Sequence, residues 1–110
     1  MNVQHRDWRK GLIRPLALLA VAEVGAVHGY DIASRLEELG VGVVLGGTLY
    51  PILRRLEDDG HLRSEWTAGE GGPGRKVYSV TSAGQRESSV FRSQWLDLVA
   101  NITTLLKEEL

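Results

Sequence analysis

Leu49, Ile52, Leu53 and Leu56 recur at i, i+3, i+4 and i+7, the spacing of one face of a helix. Thr48, Tyr50, Pro51, Arg54 and Arg55 fall on the opposite face. One face is built to pack; the other is built to touch something polar or anionic. Upstream, Leu12 to Glu23 carries only Arg14 and Glu23 as charged residues, so a helix there is apolar nearly all round and must be buried on more than one side. Pro15 suits its first turn, where a missing N–H costs nothing. Gly25 and Val27-His28-Gly29 break that helix. A second helix is predicted from about Tyr30 to Leu39, with Ile32, Ala33, Leu36 and Leu39 inward; Tyr30 can face DNA or the core, and its place favours a wedge between this helix and its neighbours. Gly40 ends it, as glycine does one residue past a helix.

Val43 to Leu45 is a β-branched run between glycines and reads as a small strand. Thr48 is the expected N-cap of the next helix, which puts Pro51 at N3, a position without a helical N–H partner. Gly60 ends that helix. A strand is expected from about His61 to Thr67, with Leu62, Ser64 and Trp66 on one side, and another from Arg75 to Val80, with Tyr78 in the core. Between them, Gly69-Glu70-Gly71-Gly72-Pro73-Gly74 reads as an irregular tip. The order helix, helix, strand, helix, strand, strand is a winged helix-turn-helix.

The remainder, from Thr81 to Leu110, is predicted as one long helix capped by Thr81 or Ser82, with Ser82 and Gln85 in a capping box. Phe91, Trp95, Leu98, Ile102 and Leu105 alternate at the spacing of a helix–helix seam. Leu96, Val99 and Leu106 form a stripe beside it. About thirty residues of helix span ~45 Å, more than a domain this small can cover. A second copy of the chain is the simplest partner for the excess. The expected fold is mainly α with a small β component: a winged domain over residues 1–80, its first helix at 12–23, and a dimerisation helix over 81–110. The dimer is expected to be held by the first helix, through Leu16 and Leu19, and by the last, through Leu98, Ile102 and Leu105.

Composition changes this picture little. A chain of 110 residues is one small domain, and 43% hydrophobic with 25% charged residues is ordinary for a globular protein. There is no cysteine, which suits a cytoplasmic location. The run Pro15 to Ala22 is too short to cross a bilayer. The net charge of −1 speaks against a nucleic-acid partner, but the distribution speaks for one. Arg54, Arg55, Arg63, Arg75 and Lys76 lie in the third helix and the ribbon, and Arg6, Arg9, Lys10 and Arg14 lie near the amino terminus. The acids, among them Glu37, Glu38, Glu108 and Glu109, fall largely elsewhere.

In a helix-turn-helix the start of the second helix enters the major groove. Thr48, Tyr50, Arg54 and Arg55 occupy that stretch here. Either arginine can take guanine with two hydrogen bonds, while Thr and Tyr hydroxyls suit phosphates. Arg75 and Lys76 follow the glycine tip and suit a backbone or minor-groove contact. On bland readings the same residues are a solvated face and a polar hairpin end. His5, His28 and His61 have no metal-ligand spacing, and His28 reads as a structural hydrogen-bonder. No cofactor is expected. The chain has no GxSxG elbow and no GxxxxGK[ST] loop, and GEGGPG is followed by a strand rather than a helix, so no enzyme is expected. Trp95 has two readings: a packing residue in the seam, or one wall of an apolar cavity at a dimer centre, with Phe91 and Trp8, on which flat aromatic ligands stack.

The segments HGYDIASRLEE, GTLYPILRRLEDDGHL and GRKVYSVTSAGQ together resemble the PadR family of bacterial transcriptional regulators over about Gly11 to Gln85. The single final helix is similar to that of the family's small branch, and within it to multidrug-responsive members. The resemblance implies a homodimer that represses transcription from a palindromic operator on double-stranded DNA. It also implies a central drug-binding pore with a tryptophan at the position of Trp95, open to aromatic or cationic effectors. Pro15, and Gly46-Gly47 ahead of Thr48, depart from the family's pattern. The competing function is a winged-helix protein-interaction module without DNA binding.

Overall fold

The computed structural model of the chain describes residues 7–69 and 72–109. Met1 to Arg6, which include His5 and Arg6, lie outside the described residues, as do Glu70 and Gly71 of the tip and Leu110 at the end. The elements in order are α1 (Asp7–Lys10), α2 (Ile13–Val24), β1 (Val27–His28), α3 (Gly29–Glu38), α4 (Gly46–Asp58), β2 (Leu62–Gly69), β3 (Gly72–Val80) and α5 (Ser82–Glu109). The strands form one antiparallel sheet in the order β1-β3-β2.

The core lies where α2, α3 and α4 meet the root of the sheet. Ala17 and Val21 of α2, Leu36 of α3 and Leu53 of α4 have no exposed surface. Leu49 and Leu56 extend the inward face of α4, and Ile52 packs partly against it. Leu62 and Tyr78 close the core from the sheet. Each of these positions belongs to a periodic set, so burial follows the pattern directly.

Helices α3 and α4 end alike. The Gly40 and Gly60 N–H groups donate to Glu37 and Glu57, and the next residues, Val41 and His61, donate back to Leu36 and Leu56. That double closure needs a residue with positive φ, and the two glycines have φ of 92° and 80°. Thr81 then fastens α5 to this corner. Its hydroxyl donates to the Gly60 carbonyl at 2.6 Å and accepts from the Gly84 N–H at 3.0 Å. Gly84 lies so close to the turn that a Cβ there would collide with the His61 carbonyl.

Four expectations change. The third strand of the sheet is Val27–His28, paired with Tyr78 and Val77, and Val43 to Leu45 is irregular. The reason is the start of α4. The Leu45 carbonyl accepts from both Thr48 and Leu49 at 2.9 Å, so Leu45 is the cap and the helix begins at Gly46, ahead of Thr48. Pro51 therefore sits inside the helix, where its missing N–H leaves the Gly47 carbonyl without its usual donor. Third, Gly72 and Gly69 join the β2–β3 ladder, with an irregularity after Thr67, so the ribbon runs further into the glycine tip than its composition suggests. Last, both ends of α3 turn outward: Tyr30 is exposed, not wedged, and Leu39 is exposed, not inward.

Candidate nucleic-acid interface

Helix α4 and the β2–β3 ribbon enclose a groove of about 440 Å3. It is lined by Tyr50 and Arg54 from α4 and by Arg75 and Lys76 from β3, which brings together four of the six residues expected to touch DNA. Arg55 lies on the adjoining surface with Pro51 and Asp58. Thr48 is exposed in the first turn of α4. The sixfold set is thus split between a groove, its shoulder and the leading end of the helix.

Local contacts set the shape of the groove. The His28 backbone N–H donates to Asp31 Oδ2 at 3.2 Å, which caps α3. The His28 ring nitrogen Nδ1 lies 3.3 Å from the Lys76 carbonyl, to which it donates in the tautomer that carries its proton there. The imidazole therefore ties α3 to the ribbon, the structural role expected of it. The Tyr50 ring of α4 lies over Gly29 at the start of α3, where an added Cβ would have to push the tyrosine aside.

The cations of the groove are not equivalent. Lys76 Nζ lies 3.4 Å from Glu57 Oε1 and 5.7 Å from the centre of the Tyr78 ring. Glu57 also accepts from Ser64 Oγ at 2.7 Å. Lys76 therefore shares its charge with an acid on α4, and the expectation that the acids fall elsewhere does not hold at this point. Among the described residues no ion pair engages Arg54, Arg55 or Arg75, and all three are exposed. Those guanidinium groups are available to phosphates or base edges. Arg63, expected in the basic set, donates to Ser79 Oγ at 3.3 Å instead. Near the amino terminus, Arg9 donates to the Gly40 carbonyl at 3.2 Å and Arg14 pairs with Asp59, so both are turned onto their own chain.

Tyr78 is buried, and its hydroxyl is held above its ordinary pKa, first by that burial and then by the nearby Glu57 carboxylate. Two exposed aromatic residues outside the expected DNA-touching set also line the groove, Tyr30 and Trp66, both more than two-thirds exposed. Trp66 shares a strand face with buried Leu62, but it lies beyond the end of the core. Its signal was its position near the ribbon tip.

The second surface is the apolar side of α5. Leu98, Ile102 and Leu105 are exposed, with Leu96 and Leu106 beside them. Leu16 and Leu19 of α2 are half-buried, and Leu16 packs partly on the core. Phe91 and Trp95 stack with ring centres 5.9 Å apart and planes 27° from parallel. Trp8 is exposed, with the Arg9 guanidinium 5.2 Å from its ring centre.

A family model described as the transcriptional regulator PadR-like family matches residues 18–90, which span α2 to the first turns of α5. The chain belongs to the PadR-like family of transcriptional regulators. Transcriptional regulator Rv3488 of Mycobacterium tuberculosis is 40% identical over 80 residues, covering 73% of this chain and 72% of that one. A PadR family regulator from Eggerthella lenta superimposes with a TM-score of 0.73 at 33% identity, covering 91% of this chain and 86% of the other. A PadR-like regulator from Bacillus cereus reaches a TM-score of 0.81 at 26% identity, with 92% and 97% covered. Membership in the PadR-like family makes this protein a DNA-binding transcriptional regulator and not an enzyme. Among the described residues, no helix is long and apolar enough to cross a membrane.

Proposed function

We propose that the protein is a ligand-responsive repressor that acts in the cytoplasm and binds a pseudo-palindromic operator as a two-fold homodimer. The observation that carries this reading is the exposed apolar face of α5 on a chain whose α4 and ribbon offer three arginines without an ion pair among the described residues. Pairing two such faces buries them and relates two DNA-reading helices by one two-fold axis. The half-sites are then expected about one helical turn apart. Thr48, Tyr50 and either Arg54 or Arg55 meet the major groove, while Arg75 and Lys76 meet the backbone.

Fluorescence anisotropy on labelled duplexes tests this. Arg54→Ala or Arg55→Ala is expected to cost roughly 1–3 kcal/mol and to change sequence preference if that side chain reads a base. Lys76→Ala is expected to weaken binding to all sequences alike and to flatten the salt slope. Parent-like binding of operator and random DNA by both arginine variants sinks the reading face. A transcription assay on the same operator separates repression from activation.

The effector site in this reading is the dimer seam, with Trp95, Phe91 and Trp8 offering aromatic faces to flat apolar or cationic molecules. A ligand that binds the DNA-competent dimer less well than its alternative lowers operator affinity. Titration with an aromatic cationic dye is expected to quench tryptophan fluorescence. Trp95→Ala is expected to remove most of that response, judged against Trp8→Phe and Trp66→Phe. Unchanged dye affinity in Trp95→Ala makes Trp95 a packing residue.

A further inference from the structure

From Leu39 to Leu53 the chain carries no charged residue. This stretch leads into α4 and forms its first turns. Val44 packs in the core, while its neighbours Val43 and Leu45 are 60% and 70% exposed. Two apolar side chains are thus turned outward at the leading end of α4. Leu45 is held in place there, because its carbonyl accepts from the Thr48 and Leu49 N–H groups at 2.9 Å. With Tyr30 and Tyr50, Val43 and Leu45 line a hollow of about 400 Å3. Behind Leu45 comes a glycine pair, and a Cβ added at Gly47 would meet nothing within 4 Å. Glycine also costs a helix stability relative to alanine. The fold therefore gains nothing from bare backbone at Gly47, whereas a body that approaches the end of the helix does.

We propose that this leading end reads thymine in the operator, with Leu45 set against the C5-methyl group. The inference rests on the operator reading above and names the base that the first residues of α4 select. In a helix-turn-helix the N-terminal residues of the second helix contact base edges. In the major groove those edges offer hydrogen-bond donors, acceptors and one apolar group, the thymine methyl. The Leu45 side chain makes no polar contact, so the methyl is the feature of a base edge that it fits. Arg54 lies roughly 12 Å further along the helix, so the arginine and methyl contacts fall on different base pairs. Glu37 also lines the hollow, and a carboxylate repels phosphate, which favours a base edge over the backbone as the occupant. Tyr50 belongs both to this hollow and to the groove that holds Arg54 and Arg75, so the apolar patch continues the DNA-facing surface.

A duplex selected from a random library by the unmodified chain is the probe. Each thymine is replaced in turn by deoxyuridine, which removes the methyl group and keeps the pairing edge. Affinity is read by fluorescence anisotropy. At one or more thymines of each half-site the replacement is expected to weaken binding about fourfold, the worth of one buried methyl group. In Leu45→Ala the same replacement is expected to cost less than about twofold, because the contact is already lost. Leu45→Met stays apolar and is expected to keep the penalty. Gly47→Ala is expected to weaken binding of the selected duplex without lowering the melting temperature of the free chain.

The proposal is overturned if every thymine can be replaced without loss, or if the selected half-sites hold none. It is equally overturned if the penalty is the same in Leu45→Ala as in the parent; the hollow then serves a protein partner and not DNA. Parent-like binding by Gly47→Ala overturns the close approach of the helix end. If Arg54→Ala and Arg55→Ala lose affinity while no deoxyuridine does, the operator reading stands and the thymine reading alone falls. If no duplex is enriched, both fall together.

Discussion

In α4, Leu49, Leu53 and Leu56 are at most 1% exposed; in α5, Leu98, Ile102 and Leu105, at comparable helical spacing, are 42–56% exposed. Both helices carry an apolar stripe, and in both the stripe is a demand for a partner. For α4 the partner is the same chain: α2, α3 and the sheet surround it. For α5 the chain supplies cover only at the first turns, where Gly84 and Ser88 are buried, and runs out beyond Phe91. Periodicity thus states that a face must be covered without stating by what. The answer depends on length, because a helix of 28 residues outreaches the domain to which it is attached.

The comparison breaks most sharply at α5. Leu98→Asp with Ile102→Asp places two charges where a dimer would bury them without partners. Sedimentation at micromolar concentration is expected to show a monomer, with the unmodified chain dimeric. A folded monomer of the unmodified chain would remove the contrast between the two helices altogether. Next comes Leu53→Ala in α4, expected to cost about 2–5 kcal/mol of unfolding free energy. That loss should not depend on protein concentration, whereas the smaller loss from Leu98→Ala should, and denaturation at two concentrations separates them. Thr81→Ala removes the cap that joins the two helices and is expected to cost ~1 kcal/mol by the same measurement.

The smallest effect concerns pH. Burial and Glu57 hold the Tyr78 hydroxyl above its ordinary value in the folded chain, so the folded state keeps that proton longer than the unfolded state. This contribution is fully present below the unfolded value of ~10 and is lost as pH rises through the folded one. Stability should therefore fall in alkali above about pH 10, and it should fall less in Tyr78→Phe. Equal alkaline slopes for parent and variant would show that Tyr78 does not titrate as its surroundings imply.

Much of the fold was legible because the inward residues of α2, α3 and α4 obey one period and the glycines at 40 and 60 stop the helices where they must. Val27–His28 was not, since two residues carry no period and become a strand only by pairing with β3. Val43 to Leu45 has strand-like residues, but the Leu45 carbonyl is taken by the first turn of α4, which leaves no ladder to join. At the groove, the cationic residues could be read from their positions around α4 and the ribbon tip. The pairing of Lys76 with Glu57 could not, because it joins two elements whose approach only the tertiary structure sets.

The Thr81 hydroxyl bonds and the bare backbone of Gly84 make the root of α5 a stiff joint, not a swivel. A stiff joint on a long arm is a lever. At 28 residues the arm is ~42 Å long, so a tilt of about 5° carries its far end roughly 4 Å. Joined to a twin along that arm, each winged domain would be turned through whatever angle its joint takes up, and the long arm would hold the two turns in step with one another.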